Sequence, residues 1–352
     1  MESERRPRLT PAIADVRRAV RELLPTDGLV LVGLSGGADS LALAAATAFE
    51  APRAGLRAGA VIVDHGLQQG SSDVAATAAR QARELGLDPV LVLSVAVDHG
   101  PAGDGPEAEA RTARYAAFDR ALTETGATGI LLGHTLDDQA ETVLLGLARG
   151  SGPTSLHGMA VRSGPYLRPL LGIRRSQTRQ FCLDAGLTVW DDPHNVDPRF
   201  ARVRVRERVM PTLERELGPG VAEALARTAE QLREDSDALD ELVLEFVEEI
   251  CEPAEAGIAV SVSALEANPP ALRQRIIRFV VDGEFGVSLE RVHTLAVARL
   301  VTDWHGQKAL DLPGVRVVRQ GGLLIFSAPG HTQAPGHTQS KGPSRSHGTS
   351  RH

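Results

Sequence analysis

The chain has few cysteines, few lysines and few aromatic residues, and each shortage limits the kinds of functional site that the chain can form. The two cysteines, Cys182 and Cys251, are too far apart to form a CxxC pair, a zinc site or a disulfide framework. Lysine occurs only at Lys308 and Lys341, so we expect any cationic clamp for phosphate to be built from arginine. Aromatic residues make up 3% of the chain, which favours core packing over base stacking as their role.

Long apolar runs are also missing. No run reaches the roughly 18 to 20 residues that a membrane helix needs, and the opening "MESERRPRLT" lacks the apolar core of a secretory signal. We therefore expect a cytoplasmic protein that is not associated with a membrane and has no obligate protein partner. The net charge of −7 argues against non-specific coating of nucleic acid, but it leaves room for a local basic site.

The first half of the chain alternates short apolar runs with longer helical patterns. Strands are predicted over 29–34, 58–66, 89–95 and 129–134, and helices over 39–50, 72–85, 106–125 and 136–148. This alternation predicts an α/β fold with a doubly wound parallel sheet. Ligands of such sheets bind at the carboxyl ends of the strands, where three of these runs end in polar residues.

The remainder of the chain has a different pattern. Residues 150–215 are rich in Gly, Pro and Arg and are expected to be irregular, whereas helices are predicted over 221–252, 271–281 and 288–302, followed by a hairpin turning at Gly321-Gly322. The predicted division is an N-terminal helix or extension (1–27), a catalytic domain (28–215), a linker helix with a smaller, mainly helical domain (216–328), and a disordered tail (329–352).

The segment "SGGADS", Ser35 to Ser40, follows the first predicted strand. It fits neither the Walker A loop nor the GxGxxG pattern. Its glycines let backbone N–H groups approach an anion, and the next helix adds a positive N-terminal dipole, so it suits a pyrophosphate. Asp39 would repel bare phosphate and therefore suggests a metal ion. The alternative is an ordinary glycine turn with Asp39 as the helix N-cap.

This loop resembles the SGGxDS loop of the N-type ATP pyrophosphatases, which have the adenine nucleotide alpha hydrolase-like fold. Further segments, in order, resemble the tRNA(Ile)-lysidine synthetase family: "VDHGLQQGS", "EAEARTARY", "LLGHTLDDQAETVLLGLARGSG", "YLRPLLGIRRSQ" and "WDDPHNVDPRFARVRVRERVMPTLE". The resemblance covers about residues 28 to 215. Three positions depart from the family pattern: Gln68, His194 and Val203 stand where arginine, serine and asparagine are usual.

The resemblance implies an activity, a carbon–nitrogen ligation. ATP, with Mg²⁺, activates the position-2 carbonyl of the wobble cytidine in an isoleucine tRNA with a CAU anticodon. The side-chain amine of free L-lysine then displaces AMP, and codon recognition changes from AUG to AUA. The smaller domain is expected to recognise the tRNA.

The resemblance also implies roles for individual residues. The expected catalytic residues are Asp39, Arg111, His134 and Asp138, with Asp39 and Asp138 as candidate metal ligands. The expected ATP-binding residues are Ser35, Gly36, Gly37, Ala38, Asp39, Ser40, Asp64, His65, Arg111, Gly133 and His134. The residues expected to bind lysine or tRNA are Glu107, Asp137, Asp138, Glu141, Arg202 and Arg206.

Simpler explanations exist for several of these residues. Asp137 and Asp138 could merely cap a helix, and Glu107 with Arg111 could form a surface i,i+4 pair. The arginine-rich stretch 199–208 could be a solvated face, and its period fits a strand or a helix. At the level of function, another N-type ATP pyrophosphatase, such as a tRNA thiolase or a small-molecule synthetase, and a non-catalytic RNA chaperone remain open.

Overall fold

The chain is divided into two structural units, residues 1–234 and 235–352. The computed structural model describes residues 9–66, 70–95, 106–150, 153–192, 197–254 and 257–329. The predicted tail, Gln68 and His194 therefore lie outside the described residues. Within the described ranges, no helix is both long enough and apolar enough to cross a bilayer. The four-part division drawn from the sequence stays a prediction.

The first unit is built on a six-stranded sheet in the order β3-β2-β1-β4-β6-β5. The strands β1 to β4 and β6 run parallel, and β5 pairs antiparallel with β6 at one edge. The strand bounds are β1 Leu29–Gly33, β2 Arg57–Asp64, β3 Val90–Ser94, β4 Gly129–Leu131, β5 Arg162–Ser163 and β6 Tyr166–Leu167. The predicted parallel α/β fold is confirmed, and the two short edge strands are additional to the prediction.

Helices cover both faces of this sheet because successive strand residues point to opposite sides. Val30 and Val32 pack into one core with α1, α2, α3 and α7, whereas Leu29 and Leu31 pack into a second core with α4. Both faces of β1 are thus buried, which explains its continuous apolar sequence. The helix bounds are α1 Pro11–Leu23, α2 Ala38–Glu50, α3 Ser71–Glu84, α4 Pro106–Thr125, α5 Leu136–Arg149, α6 Pro153–Leu156 and α7 Arg175–Asp184.

The segment expected to be irregular contains ordered helices. Helix α7 forms because Gln177 closes a capping box at its start and Thr178, Phe181 and Cys182 bury one face. The arginine-rich stretch is also helical: α8 Ala201–Arg204 leads through a π-helical turn, Val205–Val209, into α9 Met210–Leu217. Pro211 cannot donate a backbone hydrogen bond, and the wider turn ends two residues before it, at Val209. The strand alternative for this stretch is wrong.

The boundary between the units falls within a long helix, α10 Val221–Ile250. The second unit has a five-stranded antiparallel sheet in the order β7-β8-β11-β10-β9. Its remaining elements are β7 Cys251–Ala254, β8 Gly257–Ser261, α11 Val262–Ala267, α12 Pro270–Phe285, α13 Arg291–Thr302, β9 Leu310–Leu312, β10 Val315–Gln320 and β11 Leu323–Ser327. The predicted hairpin is confirmed by the pairing of Gln320 with Leu323, whereas β7, β8 and β9 were not predicted.

Candidate active site

A cavity of about 710 Å³ opens at the carboxyl ends of β1, β2 and β4 in the first unit. Its walls bring together residues that are far apart in sequence, as the parallel topology requires. The predicted residues that line it are Ser35, Gly37, Ala38, Asp39, Ser40, Asp64, His65, Arg111, Gly133, His134, Asp138 and Arg206. The lining does not include Gly36, Asp137, Glu141 or Arg202, and the side chain of Glu107 lies outside the described residues.

The glycine turn, residues 35–40, joins β1 to α2. Gly36 has a φ of +87°, in the left-handed region that favours glycine, and Gly37 is the N-cap of α2. The hydroxyl of Ser40 bridges the turn, because it donates to the carbonyl of Gly37 at 3.0 Å and accepts from the amide of Ser35 at 3.2 Å. The turn therefore offers backbone amides, two hydroxyls and a helix N-terminus to an anion.

Gly133 packs directly on the glycine turn. A Cβ atom at this position would lie 3.1 Å from both the carbonyl carbon of Asp39 and the amide nitrogen of Ser40. Because these are backbone atoms, they could not move aside without displacing the turn. Glycine at the end of β4 thus sets how closely the two strand ends approach.

Asp39 does not cap α2, so that alternative is wrong. Its carboxylate accepts a hydrogen bond from the hydroxyl of Thr178 and lies 3.7 Å from Nε of Arg175. Burial raises the pKa of Asp39 to about 6, with a further rise from the charge of Asp138, while Thr178 and Arg175 oppose the shift. A cation bound beside this carboxylate would favour its charged form and lower its pKa.

Asp138 both caps a helix and lines the cavity. Its Oδ2 accepts from the amide and the hydroxyl of Thr135, each at 2.8 Å, which closes a capping box at the start of α5. Its Oδ1 accepts from Arg175 at 2.9 Å. Burial alone would raise the pKa of Asp138, but Arg175, Arg202 and the Thr135 hydrogen bonds outweigh it and lower the pKa to about 2. Asp138 is therefore ionised at every physiological pH.

Glu141 lies beneath Asp138 and is 1% exposed. Its carboxylate accepts hydrogen bonds at 2.8 to 3.2 Å from three arginines, Arg175, Arg202 and Arg206. Arg202 and Arg206 share a helical face, as their spacing predicted, and that face turns toward these carboxylates. We call Asp138, Glu141, Arg175, Arg202 and Arg206 the charged cluster.

Sequence reasoning missed several polar and charged residues of this site, among them Arg175 and Thr178, both on α7. The amide of Arg175 donates to Asp137 at 2.7 Å, which holds Asp137 against the start of α7 and away from the cavity. The signal that could have found them is the amphipathic stretch "RRSQTRQFC", where Thr178, Phe181 and Cys182 recur at helical spacing.

His134 lines the cavity and is partly buried, and its buried Nδ1 has no hydrogen-bond partner among the described residues. Burial lowers the pKa of His134 to about 4, and the charges of Arg168, Arg202 and Arg111 add to the lowering against the opposing effect of Asp138. The imidazole is therefore neutral at pH 7. His65 also has a lowered pKa, through burial and then through Arg114, whose Nη2 lies 3.5 Å from its Nε2.

The remaining predicted residues have simpler surroundings. Asp64 ends β2 and accepts from the amide of Gly66 at 3.0 Å. Arg111 projects from α4 into the cavity wall and contacts the hydroxyl of Tyr115 at 3.4 Å. Val203, one of the departures from the family pattern, is buried on the inner face of α8. Among the described residues, no group of three or more His, Cys, Asp and Glu side chains is arranged to hold a metal ion.

A glycine turn of this kind beneath a polar cavity defines a PP-loop ATP-binding domain. The PP-loop domain family matches residues 11–213, and the TilS substrate binding domain family matches residues 261–325. The chain is 67% identical over 304 residues to the tRNA(Ile)-lysidine synthase of Leifsonia xyli subsp. xyli, covering 86% of this chain and 91% of that protein. It belongs to the tRNA(Ile)-lysidine synthase family.

A second relative agrees with this assignment, and one solved structure shares the fold class of the first unit. The tRNA(Ile)-lysidine synthase of Streptomyces coelicolor is 54% identical over 313 residues, covering 86% of each chain. Among solved structures, the U34-tRNA thiolase NcsA from Methanococcus maripaludis, with its [4Fe-4S] cluster, superposes with a TM-score of 0.53 at 20% identity. That likeness covers 63% of this chain and 80% of the thiolase, and it establishes the fold alone.

Proposed function

We propose that the chain uses ATP to ligate L-lysine to the wobble cytidine of an isoleucine tRNA with a CAU anticodon. The observation that carries the proposal is one cavity in which an anion-binding glycine turn faces an ionised carboxylate, Asp138. Such a cavity can hold a polyphosphate and a cationic amine side by side. Membership of the family supplies the identity of the two substrates. A cytoplasmic location, where ATP, lysine and tRNA occur together, is part of the same proposal.

The first step is adenylation of the base. The O2 oxygen of the cytidine attacks the α-phosphorus of ATP, the bond to the β-phosphate breaks, and pyrophosphate leaves. Amides and hydroxyls of the glycine turn hold the leaving pyrophosphate, and Arg111 on the opposite wall offsets the charge on the transferring phosphorus. Neutral His134 can donate a hydrogen bond to the adenylate without adding a charge.

Mg²⁺ bound to the phosphates would be held by Asp39, with Asp138 as a second candidate, and would neutralise phosphate charge. The residues fit this ion, because Mg²⁺ usually takes only one or two carboxylates and completes its shell with phosphate oxygens and water. The absence of a larger cluster of ligands among the described residues is compatible with that arrangement. Burial raises the pKa of Asp39 to about 6 because it disfavours the charged form, and a bound cation would offset that effect.

The second step is attack by lysine. The side-chain ammonium of lysine first gives one proton to water, and the free amine then bonds to C2 of the cytidine. The C2–O bond breaks, AMP leaves with that oxygen, and the new C–N nitrogen releases its surplus proton to water. Asp138 attracts and orients the ammonium group, because it lines the cavity and stays charged. Glu141 does not line the cavity and is bound by three arginines, so we assign it to holding the charged cluster in place.

A thiolase mechanism is disfavoured by the cysteines. The thiol of Cys182 is buried under the glycine turn and donates to the carbonyl of Ala38, and burial raises its pKa to about 12. Burial also raises the pKa of Cys251, in the second unit, to about 11. Neither thiol is a ready nucleophile, since the thiolate is the reactive form.

The test uses the purified full chain with ATP, Mg²⁺, labelled lysine and a transcript of the isoleucine tRNA. We expect label to enter the RNA, and we expect none with a matched transcript that carries uridine at the wobble position. Absence of label in both, with ATP still bound, would reject the lysine ligase. ATP–pyrophosphate exchange without any tRNA would instead favour a small-molecule synthetase.

A further inference from the structure

Arg168 is a buried cation close to the cavity. It follows β6 directly and is only 6% exposed. Its Nη1 donates to the carbonyl of Ala160 at 2.9 Å, and its Nη2 lies 3.3 Å from the hydroxyl of Tyr115. Its Nε has no partner among the described residues. Within the described parts of the chain, no carboxylate forms an ion pair with it. A buried guanidinium without a counter-ion costs folding free energy, so packing alone does not account for an arginine here.

Tyr115 joins this buried cation to the cavity wall. Its hydroxyl is contacted by Arg168 on one side and by Nη2 of Arg111, at 3.4 Å, on the other. The guanidinium carbon of Arg111 lies 5.0 Å from the centre of the Tyr115 ring, within cation–π range. Arg111 and Tyr115 are four residues apart on α4 and therefore share a face.

The ring of Tyr115 is itself fixed in place. Edge-on contacts join it to Tyr166, at 4.8 Å between ring centres, and to Phe118, at 5.9 Å. These distances and angles are the preferred geometry for aromatic pairs. The hydroxyl and the face of the ring therefore present a rigid support for a flexible arginine side chain.

We infer that Tyr115, anchored by Arg168, is the positioning residue that aims Arg111 into the cavity. The inference rests on the proposed use of Arg111 as the phosphate clamp. The ring and hydroxyl hold the guanidinium of Arg111 on one side, and the fixed charge of Arg168 repels it from the protein interior. Arg111 is thus ordered before an anion arrives, which removes part of the entropic cost of binding that anion.

A matched control lies in the same aromatic group. The hydroxyl of Tyr166 donates to Asp119 and contacts neither Arg111 nor Arg168. Tyr166 also does not line the cavity. Tyr166→Phe therefore removes a hydroxyl from the same cluster of rings without touching the arginine pair, whereas Tyr115→Phe removes the hydroxyl that links the two arginines.

The primary measurement is the dissociation constant for Mg²⁺·ATP by calorimetry, with the midpoint of thermal unfolding as a check on folding. We expect Tyr115→Phe to weaken ATP binding about five- to tenfold, the size of one hydrogen bond. Tyr166→Phe should stay within about twofold of the unmodified protein. Arg168→Lys keeps the positive charge but loses the two Nη donors of the planar guanidinium, and it should also weaken ATP binding. Equal ATP affinities for the two tyrosine variants would overturn the inference.

A double variant separates positioning from direct contact. If Tyr115 acts through Arg111, Tyr115→Phe should cause no further loss of ATP affinity once Arg111→Met is present. A full additional loss would mean that Tyr115 touches the nucleotide itself and would also overturn the inference. Because ATP binding is measured without tRNA or lysine, failure of lysine incorporation would reject the proposed function and leave this result standing.

Discussion

The hydroxyl of Thr178 donates a hydrogen bond to the carboxylate of Asp39, joining two residues that are 139 positions apart. This hydrogen bond favours the charged form of Asp39 and so opposes the rise in its pKa caused by burial. Thr178 is fully buried, so water cannot replace it if the hydroxyl is lost. Loss of the contact should therefore raise the pKa of Asp39 further.

Removal of that hydroxyl should move the pH dependence of nucleotide binding. Affinity for Mg²⁺·ATP should rise as the pH increases through about 6, because Asp39 must lose its proton to meet the cation. In Thr178→Val the midpoint should shift upward by about half to one pH unit, the equivalent of one net hydrogen bond. Calorimetric titrations between pH 5 and 8.5 would measure it, with Thr178→Ser as the control that keeps the hydroxyl. An unchanged or lower midpoint would contradict the assignment.

Asp39→Asn should stabilise the fold while it abolishes turnover. The folded pKa of Asp39 is about 6, above its ordinary 3.8, so the charged form is disfavoured in the folded state. The charged form of Asp39 therefore lowers the stability of the fold. This loss is fully present above pH 6 and disappears as the pH falls below about 4. We expect the variant to gain about 1 to 3 kcal/mol in the free energy of unfolding at pH 8, measured by urea denaturation. A loss of stability at pH 8 would show that the charged form of Asp39 does not destabilise the folded state.

Gly133→Ala should weaken ATP binding, because its new methyl group would press on the backbone of the glycine turn. A displacement of a few tenths of an ångström is enough to misalign amide donors, and we expect affinity to fall about tenfold, or about 1.4 kcal/mol. Gly172→Ala is the matched control, since a Cβ at Gly172 meets nothing within 4 Å. If both variants bind ATP with the same affinity, the close packing of Gly133 on the glycine turn does not affect ATP binding.

Glu141→Gln should destabilise the first unit strongly. Removing this charge leaves Arg175, Arg202 and Arg206 with the carboxylate of Asp138 and, for Arg175, the more distant carboxylate of Asp39 at 3.7 Å. Breaking a buried ion pair costs about 3 to 5 kcal/mol. Glu223→Gln is the comparison, because the pair that Glu223 forms with Arg174, at 3.6 Å, is partly exposed and should contribute less than about 1 kcal/mol. Chemical denaturation of both variants would measure the difference; similar losses would refute the buried role of Glu141.

The sequence was informative wherever the structure depends on neighbouring residues. The β1–α2 turn follows from Gly36 and Gly37, and the hairpin around Gly321 and Gly322 follows from its turn chemistry. The candidate residues at the ends of β1, β2 and β4 could be grouped because parallel strands share one carboxyl edge.

Two features that the sequence did not predict depend on distant contacts. Arg175 joins the charged cluster because α7 packs beside α2 and α5. Its guanidinium donates to Asp138, which lies 37 positions earlier in the chain, and no local pattern predicts that contact. Strand β7 contains Glu252 and Pro253, residues of low β propensity, and exists because it pairs with β8. In both cases tertiary packing overrides local preference.

Trp190 lies beside the glycine turn, and its fluorescence can report on that turn. The amide of Trp190 donates to the carbonyl of Gly36 at 3.0 Å, and Trp190 lines the cavity. The other tryptophan of the chain, Trp304, belongs to the second unit, where Arg319 lies 5.1 Å from its ring. In Trp304→Phe all indole emission would come from Trp190, so the arrival and departure of nucleotide could be followed by stopped-flow fluorescence without any attached dye.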